Sequence, residues 1–113
     1  MYSQKDFTCL ADIFSKNVPG IKALYLFGSY ARGDARENSD VDVAAIVQEQ
    51  PKGVGRQKLL NTLYAELRSR QMTADIVFKP EREFRQDKQL SVTLAHTIAS
   101  EGKILWKTAG YTT

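Results

Sequence analysis

Residues 21–47 read Ile-Lys-Ala-Leu-Tyr-Leu-Phe-Gly-Ser-Tyr-Ala-Arg-Gly-Asp-Ala-Arg-Glu-Asn-Ser-Asp-Val-Asp-Val-Ala-Ala-Ile-Val, and this segment carries the strongest structural information in the chain. Residues 21–27 and 40–47 are short, apolar runs that predict mostly buried β-strands. Between them, Gly28-Ser29 opens a polar stretch that predicts a turn into a short helix. If the two strands pair antiparallel, the end of the first lies beside the start of the second.

The rest of the chain alternates helices and strands around this pair. Apolar residues at three- and four-residue spacing predict helices at 4–16, 56–70 and 90–100. Two more short apolar runs predict strands at 74–78 and 103–106. Residues 79–88 hold seven charged side chains of mixed sign and are expected to form a solvated loop. This order predicts an α/β (α+β two-layer) fold, a small mixed sheet with helices packed on it, in a single domain over residues 1–113.

The composition is that of an ordinary globular domain. The chain has 113 residues, of which 42% are hydrophobic and 26% are charged, and its formal net charge is +3. That excess is too small to predict nucleic acid as the direct substrate. The single cysteine, Cys9, allows no intrachain disulfide, and its place on an apolar helix face predicts a packing thiol in a cytoplasmic protein. No apolar run approaches the ~20 residues of a membrane helix, so no membrane partner is expected.

Asp40 and Asp42 stand two residues apart at the start of the second predicted strand. Alternate residues of a strand face the same side, so these carboxylates should lie side by side while Val41 and Val43 point into the core. Two such like charges are unfavourable unless a cation lies between them, and aspartate is disfavoured in strands. Ligand sets made only of oxygen suit Mg²⁺ or Mn²⁺. The pair therefore predicts a metal site.

Two further features are expected at the same end of the sheet. The glycine at Gly28 permits a close approach of the backbone to a ligand, and the amides that follow it can hold phosphate oxygens. Asp75 opens the strand at 74–78, and a helical crossover at 56–70 places that strand parallel to the one at 40–47. Three carboxylates would then be available for two metal ions, the arrangement used for in-line phosphoryl chemistry.

Residues 27–43 resemble the signature of the DNA polymerase β-type nucleotidyltransferases. The match follows the pattern Gly-Ser-x-Ala-Arg-Gly and then Ser-Asp-x-Asp, and Asp75 fits the family's third aspartate more loosely. Residues 98–106 are similar to the family's closing segment, in which an aromatic residue follows Glu-Gly. The resemblance covers nearly the whole chain and is to the minimal nucleotidyltransferases in particular, which contain little beyond the catalytic core.

Roles for individual residues follow from this resemblance. It implies catalytic and metal-binding roles for the carboxylates of Asp40, Asp42 and Asp75. These would hold two Mg²⁺ ions, for which Mn²⁺ could substitute. It implies that Gly28 and Ser29 hold the β- and γ-phosphates of ATP or another NTP. Arg32 either faces the phosphates or braces the loop.

The resemblance also implies a function. The chain is expected to transfer a nucleoside monophosphate, in particular AMP from ATP, to an acceptor hydroxyl with release of pyrophosphate. Minimal nucleotidyltransferases are often paired with a small helical protein of the HEPN type, and such pairs can act as toxin and antitoxin, with the transferase adenylylating the toxin. A partner would dock on the loop at 79–88 and the helix at 90–100. The alternatives are an aminoglycoside-like transferase acting on a small molecule and a catalytically silent module that only binds a partner.

Overall fold

Four strands and five helices make up the protein, for which the computed structural model describes residues 1–113. The strands are β1 (Ile21–Phe27), β2 (Val41–Val47), β3 (Ala74–Pro80) and β4 (Lys103–Lys107). The helices are α1 (Gln4–Asn17), α2 (Ser29–Arg32), α3 (Gly53–Ser69), α4 (Glu81–Asp87) and α5 (Leu94–Glu101). None of the helices combines the length and the apolar character needed to cross a bilayer.

The strands form one mixed sheet in the order β3-β2-β1-β4. β1 pairs antiparallel with β2 and with β4, whereas β2 and β3 are parallel because α3 carries the chain back between them. Both pairings of β2 are as predicted. Phe27 is the register partner of Asp42 on one side of β2, and Asp75 is its partner on the other. The end of β1 and the starts of β2 and β3 therefore meet at one end of the sheet.

Helices cover both faces of the sheet. On one face, α1 and α3 pack on the strands in a cluster of 17 buried residues that includes Phe14 and Leu63. On the other face, Phe84 of α4 and Ile98 of α5 belong to a separate cluster of nine. The mixed sheet with packed helices is confirmed, but the helices make three layers with the sheet and not the two expected. Because both faces are covered, β1 and β2 are buried along almost their whole length.

Residues 79–88 are not the solvated loop that their charge predicted. Residues 81–87 form α4, and Phe84 within it is only 1% exposed. Arg85 and Glu81 pair one turn apart at 2.8 Å on the same helix. One apolar side chain among seven charged ones is enough to dock the helix on the sheet, so the charge composition of the segment was a misleading guide.

Two element boundaries also differ from the prediction. β2 begins at Val41, so Asp40 lies just before the strand and not within it. α5 begins at Leu94 and not at residue 90, because the Thr93 side chain caps it by accepting a hydrogen bond from the backbone N–H of His96 (3.1 Å). The preceding residues form turns, which leaves Val92 almost fully exposed.

The residues after β4 return to the α4 face of the sheet. The hydroxyl groups of Tyr25 and Tyr111 lie 2.8 Å apart, and both side chains are buried. Burial raises the pKa of the Tyr111 hydroxyl far above its ordinary value, and the hydrogen bond to Tyr25 adds to the effect. Arg85 lies over the Tyr111 ring, 5.3 Å from its centroid, and donates a hydrogen bond to the carbonyl of Thr112. This cluster fastens α4 and the final residues to one another.

Replacing Phe84 with alanine tests the assignment of α4 to the core. Phe84→Ala is expected to lower the free energy of unfolding by about 3–5 kcal/mol, because a buried aromatic side chain is lost and a cavity is left. Glu83→Ala, at an exposed position on the same helix, should change it by no more than about 0.5 kcal/mol. Urea unfolding followed by circular dichroism measures both. Equal, small effects would mean that residues 81–87 do not pack on the sheet.

Candidate active site

Gly28 brings the backbone at the end of β1 against the carboxyl group of Asp42. Its φ of +72° and ψ of −153° lie in a region that is almost exclusive to glycine. A Cβ placed on Gly28 would lie 3.0 Å from Cγ of Asp42 and nearer still to Oδ2. The antiparallel pairing of Phe27 with Asp42 sets this approach, since it puts the next residue of β1 beside the start of β2. The predicted meeting of the Gly-Ser turn with the aspartate pair is therefore present for Gly28 and Asp42.

The turn continues into α2 through Ser29. The backbone N–H groups of Gly33 and Asp34 both donate to the carbonyl of Ser29, each at 3.0 Å, and that of Arg32 donates to Gly28. These bonds close one tight helical turn, so the amides of Gly28 and Ser29 stay free of partners in the helix. Free amides beside an acidic group form a small polar surface at the end of β1.

Asp42 and Asp75 converge from neighbouring parallel strands. They are register partners, and their carboxyl groups approach closely enough to share a hydrogen bond. Partial burial, the Asp75 charge and this hydrogen bond raise the pKa of the Asp42 carboxyl, and the Asp40 charge adds a smaller increase. The positive charge of Arg32 opposes the shift.

Asp40 lies at the edge of this group with its carboxylate directed toward Thr73. Oδ1 of Asp40 accepts a hydrogen bond from the Thr73 hydroxyl at 2.9 Å. The three aspartates do not form a ready-made set of metal ligands, because no group of three acidic, cysteine or histidine side chains has that geometry. The structure thus brings Asp42 and Asp75 together and leaves Asp40 adjacent to them.

The chemistry of the donors at this end of the sheet fits a hard divalent cation. All the candidate ligands are carboxylate oxygens, which suit Mg²⁺ or Mn²⁺. Burial raises the pKa of the Asp42 carboxyl most, and the charges of Asp75 and Asp40 add a repulsion that such a cation would relieve. Asp42 and Asp75 already converge, and Asp40 lies next to them with one carboxylate oxygen held by Thr73.

Arg32 is held between two acidic side chains at the outer side of the site. Its guanidinium lies 3.3 Å from Asp34 and 3.7 Å from Glu101 at the end of α5. All three side chains are well exposed, so these pairs hold the guanidinium only weakly. The charge of Arg32 nevertheless acts on Asp42. In the structure Arg32 pairs with the loop through Asp34 and with α5 through Glu101.

Three contributors to the site were not predicted from sequence. Tyr2 and Thr73 form a hydrogen-bonded connection to Asp40, and Glu101 reaches Arg32 from a distant part of the chain. Thr73 precedes Ala74-Asp75, so its closeness to an aspartate was the only available signal. Nothing in the sequence links Tyr2 to residue 73, because the contact spans 71 residues and depends on how α1 packs.

A separate cavity lies away from this group. It has a volume of about 780 Å³ and is lined by polar residues that include Gly20, Gln48 and Lys52. Gly20 precedes β1 and Gln48 follows β2, so the cavity is at the opposite end of the sheet from Gly28 and Asp42. The convergence of carboxylates, and not cavity size, identifies the candidate active site.

Comparison with known proteins points to one family. The family model described as "Polymerase beta, Nucleotidyltransferase" matches residues 9–109. The protein adenylyltransferase MntA of Shewanella oneidensis is 29% identical over 92 residues, which is 81% of this chain and 58% of MntA. This chain therefore spans little more than half the length of that curated relative.

Two solved structures have the same fold. A chain in the crystal structure of a toxin-antitoxin with AMP-PNP superposes with a TM-score of 0.62 at 25% identity, covering 96% of this chain and 76% of that one. A chain in the complex of the tri-AMPylated Shewanella oneidensis HEPN toxin with MNT antitoxin gives a TM-score of 0.59 at 22% identity, covering 94% and 74%. At 22% identity, the second likeness is one of fold alone.

Substitution of Gly28 tests the contact between the turn and Asp42. Gly28→Ala is expected to lower the free energy of unfolding by about 1–3 kcal/mol from backbone strain, and the contact with Asp42 adds to that loss. Gly33 also has a positive φ, but a Cβ there would meet no atom within 4 Å, so Gly33→Ala should lower the free energy of unfolding by only about 1 kcal/mol. Adding Asp42→Ala to the first variant should recover part of its loss. If the two glycine variants are equally stable, the contact with Asp42 carries no weight.

The raised pKa of Asp42 has a consequence for stability. An aspartate with a raised pKa favours the folded state fully below its ordinary value of 3.8, and that contribution is lost as the pH rises through the folded-state pKa. At pH 7 without divalent cations, Asp42→Asn should therefore raise the free energy of unfolding, by at most about 1 kcal/mol because the group still contacts water. The gain should vanish below pH 4.

Urea titrations in EDTA at pH 7 and at pH 3.5 measure this difference. Asp12→Asn, at an exposed position of α1 without an ion pair, is the matched control and should change little. A fall in stability for Asp42→Asn at pH 7 would show that the carboxylate serves the fold.

Proposed function

The chain belongs to the polymerase beta nucleotidyltransferase family, and we propose that it transfers AMP from ATP to an acceptor hydroxyl in an Mg²⁺-dependent reaction. The observation that carries the proposal is the convergence of Asp42 and Asp75 beside the backbone of Gly28. This arrangement sets carboxylates for a cation next to free amides for phosphate oxygens. Phosphoryl transfer needs little more than such positioning and charge compensation.

Each residue of the candidate active site has a role in this proposal. Two Mg²⁺ ions, or Mn²⁺ in their place, would be held by the carboxylates of Asp40, Asp42 and Asp75. When bound, these ions neutralise charge on the phosphates and on the attacking oxygen. The amides of Gly28 and Ser29 hold the β- and γ-phosphates, and Arg32 turns from its acidic partners toward the same phosphates.

The reaction is an in-line displacement at the α-phosphorus of the nucleotide. The acceptor oxygen forms a bond to that phosphorus as the bond to the pyrophosphate oxygen breaks. Asp75, an exposed carboxylate beside Asp42, helps to activate the acceptor hydroxyl by taking up its proton. Pyrophosphate leaves with the electron pair of the broken P–O bond.

The proposed acceptor is a hydroxyl group, most simply that of a tyrosine, on a helical partner of the HEPN type. The relative MntA is named a protein adenylyltransferase, and a structure with this fold holds a tri-AMPylated HEPN toxin. The cavity lined by Gly20, Gln48 and Lys52 is at the far end of the sheet and cannot hold a small acceptor beside Asp42. A protein that brings its own hydroxyl would supply that missing positioning. The pair would act as toxin and antitoxin in the cytoplasm.

The test uses ATP labelled in either the α- or the γ-phosphate. The purified protein is incubated with Mg²⁺, labelled ATP and, as the candidate partner, the product of the neighbouring gene. Label from the α-phosphate, and none from the γ-phosphate, should appear on the partner. Asp42→Asn should lower the rate at least about 100-fold, whereas Asp12→Asn should leave it unchanged.

Other outcomes distinguish the alternatives. Label that enters a small molecule of a cell extract, and no protein, would assign the chain to small-molecule transfer. Absence of transfer from all four NTPs, with the partner bound, would mean a catalytically silent binding module. Equal rates for the wild type and Asp42→Asn would exclude the proposed site.

A further inference from the structure

A chain of hydrogen bonds runs from Tyr2, before α1, to Asp40 at the edge of the candidate active site. The Tyr2 hydroxyl accepts from the backbone N–H of Thr73 at 3.0 Å and lies 3.4 Å from the Thr73 hydroxyl oxygen. The Thr73 hydroxyl in turn donates to Oδ1 of Asp40 at 2.9 Å. Tyr2 and Thr73 are 71 residues apart in sequence, so only the packed fold makes this connection.

The directions of these bonds are fixed by the number of available protons. An ionised carboxylate only accepts, so the single hydroxyl proton of Thr73 is used toward Asp40. The Tyr2 hydroxyl must then be the donor to the Thr73 oxygen. It accepts from the Thr73 amide at the same time, which satisfies both its donor and its acceptor capacity. The connection therefore orders both hydroxyl groups in a single direction, toward the carboxylate.

Thr73 is also held by its backbone on both sides. Its N–H is bound by Tyr2, and its carbonyl accepts from the N–H of Val41 at 3.4 Å. Val41 directly follows Asp40, so Thr73 is tied to the same turn whose side chain it contacts. An exposed threonine held in this way presents its hydroxyl at a fixed place.

Tyr2 is anchored in turn to the other wall of the candidate active site. Its backbone N–H donates to the Tyr30 hydroxyl at 3.3 Å, and the two rings lie 5.7 Å apart between centroids. Tyr30 directly follows the Gly-Ser turn and packs edge-on against Phe7 of α1. Tyr2 thus connects Tyr30, which follows the Gly-Ser turn, to Thr73, which contacts Asp40.

We propose that Tyr2 and Thr73 are positioning residues that hold Asp40 with Oδ1 engaged and Oδ2 free to bind a cation. This inference rests on the proposed function, in which Asp40 is a metal ligand. Carboxylates that bind metals are commonly oriented by a hydrogen bond to the second oxygen, and loss of such a partner typically weakens metal binding 10- to 100-fold. No other group in the protein donates a hydrogen bond to the Asp40 carboxylate.

A tether that only secures the residues before α1 is the competing explanation. It predicts a loss of stability without a change in metal affinity. A positioning role predicts a change in metal affinity that depends on the Thr73 hydroxyl and that does not track changes in the free energy of unfolding. The two explanations are therefore separated by measuring both quantities on the same variants.

The test measures Mn²⁺ binding by electron paramagnetic resonance, with an ATP analogue whose α,β-bridge cannot be cleaved. Thr73→Val should raise the Mn²⁺ dissociation constant about 10-fold, and Thr73→Ser, which keeps the hydroxyl, should stay within about 2-fold of the wild type. Tyr2→Phe keeps the ring against Tyr30 and should raise the constant about 3-fold. In the Thr73→Val background, Tyr2→Phe should have no further effect, because its action passes through the lost hydroxyl.

Matched controls come from α3. Tyr64→Phe and Thr62→Val remove the same groups at exposed positions far from Asp40 in the chain, and should leave the Mn²⁺ dissociation constant unchanged. Wild-type affinity in Thr73→Val, or an equal loss in Thr73→Val and Thr73→Ser, would overturn the positioning role while the proposed function stands. Failure of the wild type to bind Mn²⁺ with the analogue would overturn the proposed function and the inference with it.

Discussion

The contact between the Gly28 backbone and the Asp42 carboxyl group is the constraint on which the candidate active site depends. It exists because β1 and β2 pair antiparallel up to the last residue of β1, so that the next residue must pass beside Asp42. Any side chain at residue 28 would occupy the space of the carboxylate. The turn can then start α2 immediately, next to the acidic end of the sheet. Glycine is required here by both conformation and space.

A second constraint is the repulsion among acidic side chains at one end of the sheet. The parallel pairing of β2 with β3 sets Asp75 beside Asp42, and the charge of Asp75 adds to burial in raising the pKa of the Asp42 carboxyl. Arg32 is the protein's own partial compensation, although Asp34 and Glu101 also compete for it. A fold that keeps such a costly arrangement and leaves it incompletely neutralised is prepared for a cationic ligand. This is the physical basis of the proposed metal dependence.

The two faces of the sheet differ in what they do. The face with α1 and α3 carries the larger buried cluster, and α1 leads directly from Tyr2, which connects to Thr73. The face with α4 and α5 brings Glu101 to Arg32 and fastens the final residues through Tyr111. Helix packing on each face therefore places one contact beside the candidate active site: Tyr2 with Thr73 on one face, and Glu101 with Arg32 on the other. The side chains around the aspartates are positioned by elements far from them in sequence.

The local pattern of the chain determined the strands, the Gly-Ser turn and the identity of the acidic residues. Apolar runs specify β1 and β2, since burying apolar side chains stabilises the fold whatever their neighbours. The positions of Asp40, Asp42 and Asp75 could be read directly from the sequence. Tertiary packing alone decided that residues 81–87 form a helix, that the sheet has helices on both faces, and that Asp40 turns toward Thr73. These features depend on a single buried Phe84 and on contacts between residues up to 71 positions apart. A local pattern reports the preference of a segment, whereas such contacts become favourable only once the remaining elements have packed.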